Sequence, residues 1–380
     1  MRILVSGMIA GDPGQGGATW AVLQYVLGLR DLGHDVFLVE PIAPRSIRPD
    51  ASELASSLNA RYFHAVSSRF GLHGRAALLR QDTGDTVGLP YRDIVRAAET
   101  ADMLLNVSGM LRDPNLRGPI PCRVYLDLDP AFNQLWHAAE GIDVGLEGHT
   151  HFVTVGNALG QATCDVPTCG RTWIPTLQPI LLSEWPVTPG DPAAPWTTIG
   201  NWRGYGSIEY GGVHFGQKVH SQRRFMGVPR RTAESFLLAL AIHSGEVHDL
   251  AALTENGWGL VDPADVSATP DDYRRFIQGS KAEFGIAKSG YVVSRCGWFS
   301  DRSVCYLASG RPVLAQDTGF PGAIPTGSGL VAFSTEDEAI AGIEAISSDY
   351  DRHARAARDV AETCFDSKRV LSRLLAEVGQ

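Results

Sequence analysis

The first 217 residues of this 380-residue chain contain no lysine, and arginine carries the positive charge there. Acidic residues outnumber basic ones by 42 to 33, for a formal net charge of −9. That balance argues against a general nucleic-acid or anionic-membrane binder. Cysteine is also sparse. Six cysteines form no C-x-x-C pair, and Cys164 and Cys169 have no second cysteine or histidine pair to complete a zinc site. Free thiols in a reducing compartment are the expected state. No apolar run approaches the ~18 residues of a membrane helix, and Gly11, Asp12 and Pro13 interrupt any leader-like stretch, so a soluble cytoplasmic protein is expected. Short internal repeats and low-complexity tracts are absent too.

What is present is a regular alternation. Hydrophobic residues make up 44% and charged residues 20%, enough for sizeable cores, and the length suits two domains at roughly 150 residues each. Residues 2–6 (RILVS) read as a buried parallel strand. A glycine-rich loop follows, then an amphipathic helix over Ala18–Leu32 closed by Gly33, and a second strand over 35–40. Strands are predicted again at 102–107, 123–129 and 151–156. Pro186, Pro189, Pro192 and Pro195 then forbid a helix and mark a linker. Beyond it the alternation restarts: strand 197–202, helix 232–242, strand 257–262, helix 271–277, strand 284–288, a helix from Ser300, and strands 312–317 and 329–334.

The predicted class is α/β, with two Rossmann-like, doubly wound domains facing one cleft. Residues 1–182 form the first domain, 183–196 the linker and 197–348 the second domain. Helices over 349–380 are expected to pack back on the first.

Two constellations carry chemistry. Gly14, Gly16 and Gly17 precede a helix start, an arrangement that admits a phosphate to free amides and the positive dipole end. A dinucleotide fingerprint would need Gly or Ala where Thr19 stands. Glu40 does end the second strand, where a ribose-binding acid would sit, so an NAD(P)-dependent oxidoreductase is one alternative. The second constellation is CGWFSDRSVCYLASGRPVLAQDTGF, residues 296–320. Ser300 suits an N-cap, and the amides after it, with Arg302, suit a diphosphate. Thr318 and Gly319 follow the next strand's carboxyl end, where ligands of open α/β sheets gather.

The segment GGATWAVLQYVLGLRDLGHDVFLVE resembles the first β-α-β of GT-B glycosyltransferases, with their G-G-x loop and L-x-x-x-G-H-x-V helix ending. SDRSVCYLASGRPVLAQDTGF resembles the donor-site helix and strand of the glycosyl transferase group 1 superfamily. The resemblance implies sugar transfer from a nucleoside-diphosphate sugar held by the second domain, to an acceptor held by the first. Carried over by position, Gly16, Gly17, Ser300, Asp301, Arg302 and Ser303 would meet the diphosphate, and Thr318 and Gly319 the sugar or ribose. Arg203 and Lys218, after the second domain's first strand, would offset the departing charge. The chain departs from the family at one point. Two glutamates eight positions apart are replaced by Gly297 and Cys305. A nucleotide-sugar epimerase of the same fold is a further alternative.

In the first domain, Asp127 and Asp129 of YLDLDP end a strand and are the candidates for a base or an acceptor-orienting carboxylate. D-L-D is also similar to the metal-binding D-x-D of the other glycosyltransferase fold. With two diphosphate devices already present, no metal or other cofactor is expected. Asn106, Ser108 and His151 are acceptor-side candidates, while His149 reads as structural. Six arginines from Arg45 to Arg80 could hold an anionic acceptor, although a solvated surface explains them more simply.

Overall fold

The structure is a computed structural model, and it describes residues 1–379. Its first half builds an eight-stranded sheet from β1 (Arg2–Ser6), β2 (Asp35–Ile42), β3 (Ala76–Arg80), β4 (Thr86–Gly88), β5 (Met103–Val107), β6 (Cys122–Asp127), β7 (His151–Thr154) and β8 (Trp173–Pro175). The order is β4-β3-β2-β1-β5-β6-β7-β8, and only the short edge strand β4 is antiparallel. The second half contributes β9 (Trp196–Asn201), a hairpin of β10 (Ile208–Tyr210) and β11 (Val213–Phe215), then β12 (Phe236–Ala241), β13 (Trp258–Val261), β14 (Ala282–Gly285), β15 (Val313–Gln316) and β16 (Leu330–Phe333). Its main sheet is fully parallel in the order β13-β12-β9-β14-β15-β16. Both sheets are therefore doubly wound. Their order reverses beside β1 and beside β9, where ligands bind in such sheets.

Residues 232–242, read as a helix from sequence, instead contain β12, an interior strand next to the edge strand β13. FLLALA is continuously apolar because both faces of the sheet are covered, and such a run has no period by which to separate strand from helix. Its Phe236 packs against Trp258 and Phe284, and Phe284 in turn stacks on Phe333 at 5.4 Å between centroids. β3 lies inside the arginine-rich stretch and was not anticipated.

The carboxyl edges of the two sheets meet. The first helix, Gly16–Asp31, starts directly against the second domain: the Gly16 amide donates to the Ser267 carbonyl at 2.9 Å, and Trp20 Nε1 to Pro270 O at 2.8 Å. A Cβ on Gly16 would lie 2.7 Å from the Ser267 oxygen, and one on Gly17 2.8 Å from the Tyr273 ring. Both glycines are thus required by this close approach. Gly16→Ala is expected to cost about 1–3 kcal/mol through overpacking and to open the cleft. Urea unfolding together with small-angle scattering checks this; unchanged stability and shape would show that the contact is dispensable.

The chain crosses between domains twice. Residues 186–195 run without helix, and buried Arg311 fastens them to the second domain through Thr188 O (3.0 Å), Thr188 Oγ1 (2.8 Å) and Pro189 O (3.0 Å). The second crossing leads to the last helix, Ser367–Val378, which packs on the first helix where Gly28 lets Ser367 and Leu371 approach. Ile180 N donates to Phe365 O (2.7 Å) and Ser367 N to Ile180 O (2.9 Å), so the two crossings are bonded to each other. All six cysteines are free thiols. Among the described residues no helix is long and apolar enough to cross a membrane.

Candidate functional site

The glycine loop is organised from below by Glu40. This carboxylate is fully buried near the end of β2 and accepts the amides of Ala10 (2.8 Å and 3.0 Å) and Gly11 (2.5 Å). Burial raises its pKa to about 7, against the lowering effect of those amides. A carboxylate so enclosed has no capacity for a ribose, which removes the ground for the oxidoreductase alternative. Glu40→Gln leaves one amide facing an NH2 group. We expect a loss of roughly 1.5–3 kcal/mol, the worth of a hydrogen bond to a charged group. Chemical denaturation measures it, and an unchanged midpoint would mean that the loop holds itself. Gly16, expected at a diphosphate, has its amide committed to Ser267 instead.

Asp127 and Asp129 have different environments. Asp127 is fully buried and saturated: it accepts from Asn133 Nδ2 (2.7 Å), Gln134 Nε2 (2.8 Å), Thr154 Oγ1 (2.9 Å) and the Asp129 amide (3.1 Å). It therefore holds the strand end and the following turn in place, and nothing remains to accept a proton from a substrate. Asp129 lies two residues further on and reaches across the cleft. Its carboxylate accepts the hydroxyls of Tyr205 and Tyr291 and pairs with Lys288 Nζ at 3.4 Å. Both charged side chains keep about a quarter of their surface in solvent. Burial pushes the Asp129 carboxyl up, and the Asp127 charge adds to this; burial pushes the Lys288 ammonium down. Lys288 also sits 3.9 Å from the Tyr205 ring centroid, and Trp136 packs edge-on against Tyr205 at 4.4 Å.

The second domain presents a buried cationic cluster beside β9. Lys218 begins a short helix, is 8% exposed, and its Nζ has no hydrogen-bond partner. Gly200 on β9 makes room for it: a Cβ there would lie 3.0 Å from that nitrogen. Arg302, on the helix Asp301–Ala308, donates to Glu283 Oε1 (2.6 Å) and to the Ile199 carbonyl (2.9 Å). Glu283 is fully buried on β14, and its other oxygen is unpartnered. Lys218 and Arg302 thus meet the Glu283 and Asp301 carboxylates at the point where strand order reverses, and of the two cations only Lys218 is left without a hydrogen-bond partner. Burial lowers the Lys218 pKa to about 7, reinforced by Arg302 and opposed by Glu283. Ser300 and Ser303 are buried at the adjoining helix start, which no side chain caps.

Other expected residues fall elsewhere. Arg203 pairs with Glu246 on an open groove along the ends of β12 and β13, not in the Lys218 cluster. Thr318 is buried and donates to Trp298 O, while its carbonyl accepts the Gly297 amide at 2.9 Å; Gly319 turns the chain at φ +95°. These two brace the loop before Ser300. Gly297 itself abuts the first domain, where a Cβ would lie 2.7 Å from the Ala158 nitrogen, so no glutamate fits there. Asn106 is fully buried, its amide holding Leu111 N and O at 3.0 Å, and Ser108 follows in a left-handed turn at φ +49°. His149 accepts or donates only to Asn106 and Leu146, a structural role. His151 begins β7 and therefore lies at the edge of the sheet away from the cleft, beside Thr150 and Cys122. In the arginine stretch, Arg48, Arg69, Arg75 and Arg80 are paired with acids, leaving little free positive charge. Tyr205, Glu283, Lys288 and Tyr291 were not anticipated.

With two doubly wound sheets, opposed carboxyl edges and a double crossing, the fold is GT-B. Solved structures support this over the whole chain. An alpha-glucosyltransferase in complex with UDP-glucose and DNA containing an abasic site is 12% identical with a TM-score of 0.63, covering 100% of this chain and 99% of that one. HepE from Anabaena in complex with UDP-glucose is 12% identical with a TM-score of 0.60 over 100% and 99%. No protein-family model and no curated protein matches the sequence.

Proposed function

We propose that the protein is a glycosyltransferase that moves a sugar from a nucleoside-diphosphate sugar, a UDP-sugar foremost, to an acceptor, without a metal requirement. The observation that carries this reading is Lys218: a buried, unpartnered ammonium with Arg302 at the switch point of a GT-B domain. Such an arrangement is costly when empty and is relieved by an anion. The leaving diphosphate is held there, with Lys218 and Arg302 offsetting its growing charge. Asp129, reaching over from the other domain, is the base or acceptor-orienting carboxylate, and its raised pKa suits a general base at neutral pH. Asp127 is its positioning residue. One neighbour was solved with DNA, so DNA belongs in the acceptor panel despite the net charge of −9.

The test is donor turnover by mass spectrometry with a panel of nucleotide sugars, with and without EDTA. Chelator-insensitive release of a nucleoside diphosphate, with transfer to an added acceptor, is expected. Conversion of the donor to an isomeric sugar nucleotide without an acceptor would instead establish an epimerase. Loss of turnover with EDTA would overturn the metal-free part alone.

A further inference from the structure

Beside the cationic cluster, the domains enclose a cavity of about 160 Å³ between the first helix and the helix Asp301–Ala308. A single buried water needs only about 10–15 Å³ by a comparable measure, so the space is much larger than one solvent molecule. Gln24, Tyr25, Gln178 and Asp301 line it, between aromatic walls that include Trp20 and Trp298. The first three are 4%, 1% and 5% exposed, and each has one polar atom without a partner: Gln24 Nε2, Tyr25 OH and Gln178 Oε1.

The orientation of both amides follows from their other ends. Gln24 Oε1 accepts the Leu181 amide at 2.7 Å, so its nitrogen is the spare donor. Gln178 Nε2 donates to Phe299 O, so its oxygen is the spare acceptor. With the Tyr25 hydroxyl and the Asp301 carboxylate, the lining offers a donor, an acceptor, a group that is either, and a carboxylate. No lysine or arginine lines the cavity, so it is not built for a second anion. Unpartnered buried polar groups of this kind are expensive to keep empty.

A neutral group that donates and accepts at adjacent positions fits this set, which is the chemistry of a sugar ring with vicinal hydroxyls. Asp301 lies between Ser300 and Arg302, so a ring attached to a diphosphate at that helix start would reach the cavity. We infer that this interdomain cavity binds the hydroxyls of a ring carried by the nucleotide sugar, with Gln24, Tyr25 and Asp301 recognising it. The inference rests on the donor reading above. It assigns hydroxyl recognition to the first domain's helix, in a chain where Gly297 and Cys305 replace the family's carboxylates. Either the ribose or the transferred sugar could supply the ring.

Calorimetric titration of the full-length protein and of Gln24→Leu, Tyr25→Phe and Asp301→Asn distinguishes the cases. The probes are UDP, GDP and ADP, their 2′-deoxy forms, and UDP-, GDP- and ADP-glucose. Tyr25→Phe only removes an unpartnered hydroxyl, so it retains the fold. Each variant is expected to weaken a ligand that binds the wild type by about tenfold or more, the worth of one such hydrogen bond. Equal weakening of diphosphate and diphosphate sugar, matched by the wild type's loss for the 2′-deoxy form, assigns the cavity to ribose. Weakening confined to the diphosphate sugar assigns it to the transferred sugar. Nucleotide binding that depends on Lys218 but is unchanged in all three variants overturns the inference and leaves the donor reading standing. No binding of any probe to the wild type overturns both.

Discussion

Lys218→Met is expected to weaken nucleoside-diphosphate binding by about 30- to 1,000-fold, corresponding to roughly 2–4 kcal/mol for a buried charge contact, while making the empty protein more stable. The two effects share one cause. In the empty protein the ammonium is buried without a partner, so an apolar side chain of similar length removes a desolvation cost. With a diphosphate bound, that ammonium becomes a charge-assisted donor. The pH dependence separates this reading from a general loss of fold. The unfolded lysine titrates near 10.5 and the folded one near 7, so between these values the unfolded chain holds more protons and stability rises with pH. The stability gap between variant and wild type should therefore narrow as pH rises from about 7 to 10.5. Diphosphate affinity of the wild type should fall over the same range as the lysine loses its proton, and the variant should lack that dependence. Calorimetry and thermal melts at several pH values measure both. A variant that binds as tightly as the wild type would remove Lys218 from the site.

The second large effect is at Asp129. Asp129→Asn is expected to lower kcat by about 10²- to 10⁴-fold, the usual contribution of general acid–base catalysis, with donor affinity unchanged because the diphosphate contacts proposed above lie on the other domain. The rising limb of the wild-type pH–rate profile should lie above the usual carboxylate range, since burial raises this group, and the variant should lack it. Tyr291→Phe, which removes a hydroxyl that stabilises the ionised carboxylate, should move that limb to higher pH. If Asp129→Asn lowers the melting temperature and leaves kcat intact, the Asp129–Lys288 pair is a domain fastener and the base must be sought elsewhere.

How legible these features were depends on how local their causes are. Strands such as RILVS and DMLLNV declare themselves because burial on both sides demands an unbroken apolar run. FLLALA obeys the same rule yet was read as a helix, since a run without polar residues has no phase. Lys218 was recognisable by its rarity and its place after the first strand of the second domain, whereas Glu283 is silent until Arg302 folds against it. The choice between Asp127 and Asp129 was not local at all. Asp127 meets Asn133, Gln134 and Thr154 of its own domain, while Asp129 meets Tyr205, Lys288 and Tyr291, 76 to 162 residues further along. His151 was avoidable: a residue that opens a parallel strand lies at the edge opposite the ligands. Gly16 and Gly17 read in sequence as a place for a phosphate, but what approaches them is the other domain.

The paired crossings at Ile180 and Phe365–Ser367 have a kinematic consequence. Two bodies joined by one flexible segment can swing and twist about three axes. Two connections bonded side by side act like the pins of a door, leaving rotation about the line through them and resisting twist. Because Arg311 clamps residues 188–189 to the second domain, bending is confined to the short stretch between Ile180 and that clamp, and to its neighbour around Phe365. Each opening and closing stroke should therefore return Asp129 to the same neighbours, and the helix bearing Gln24 and Tyr25 to the same face of the helix bearing Asp301. The hinge thus helps to set register across the cleft, and its Ile180 borders the interdomain cavity itself.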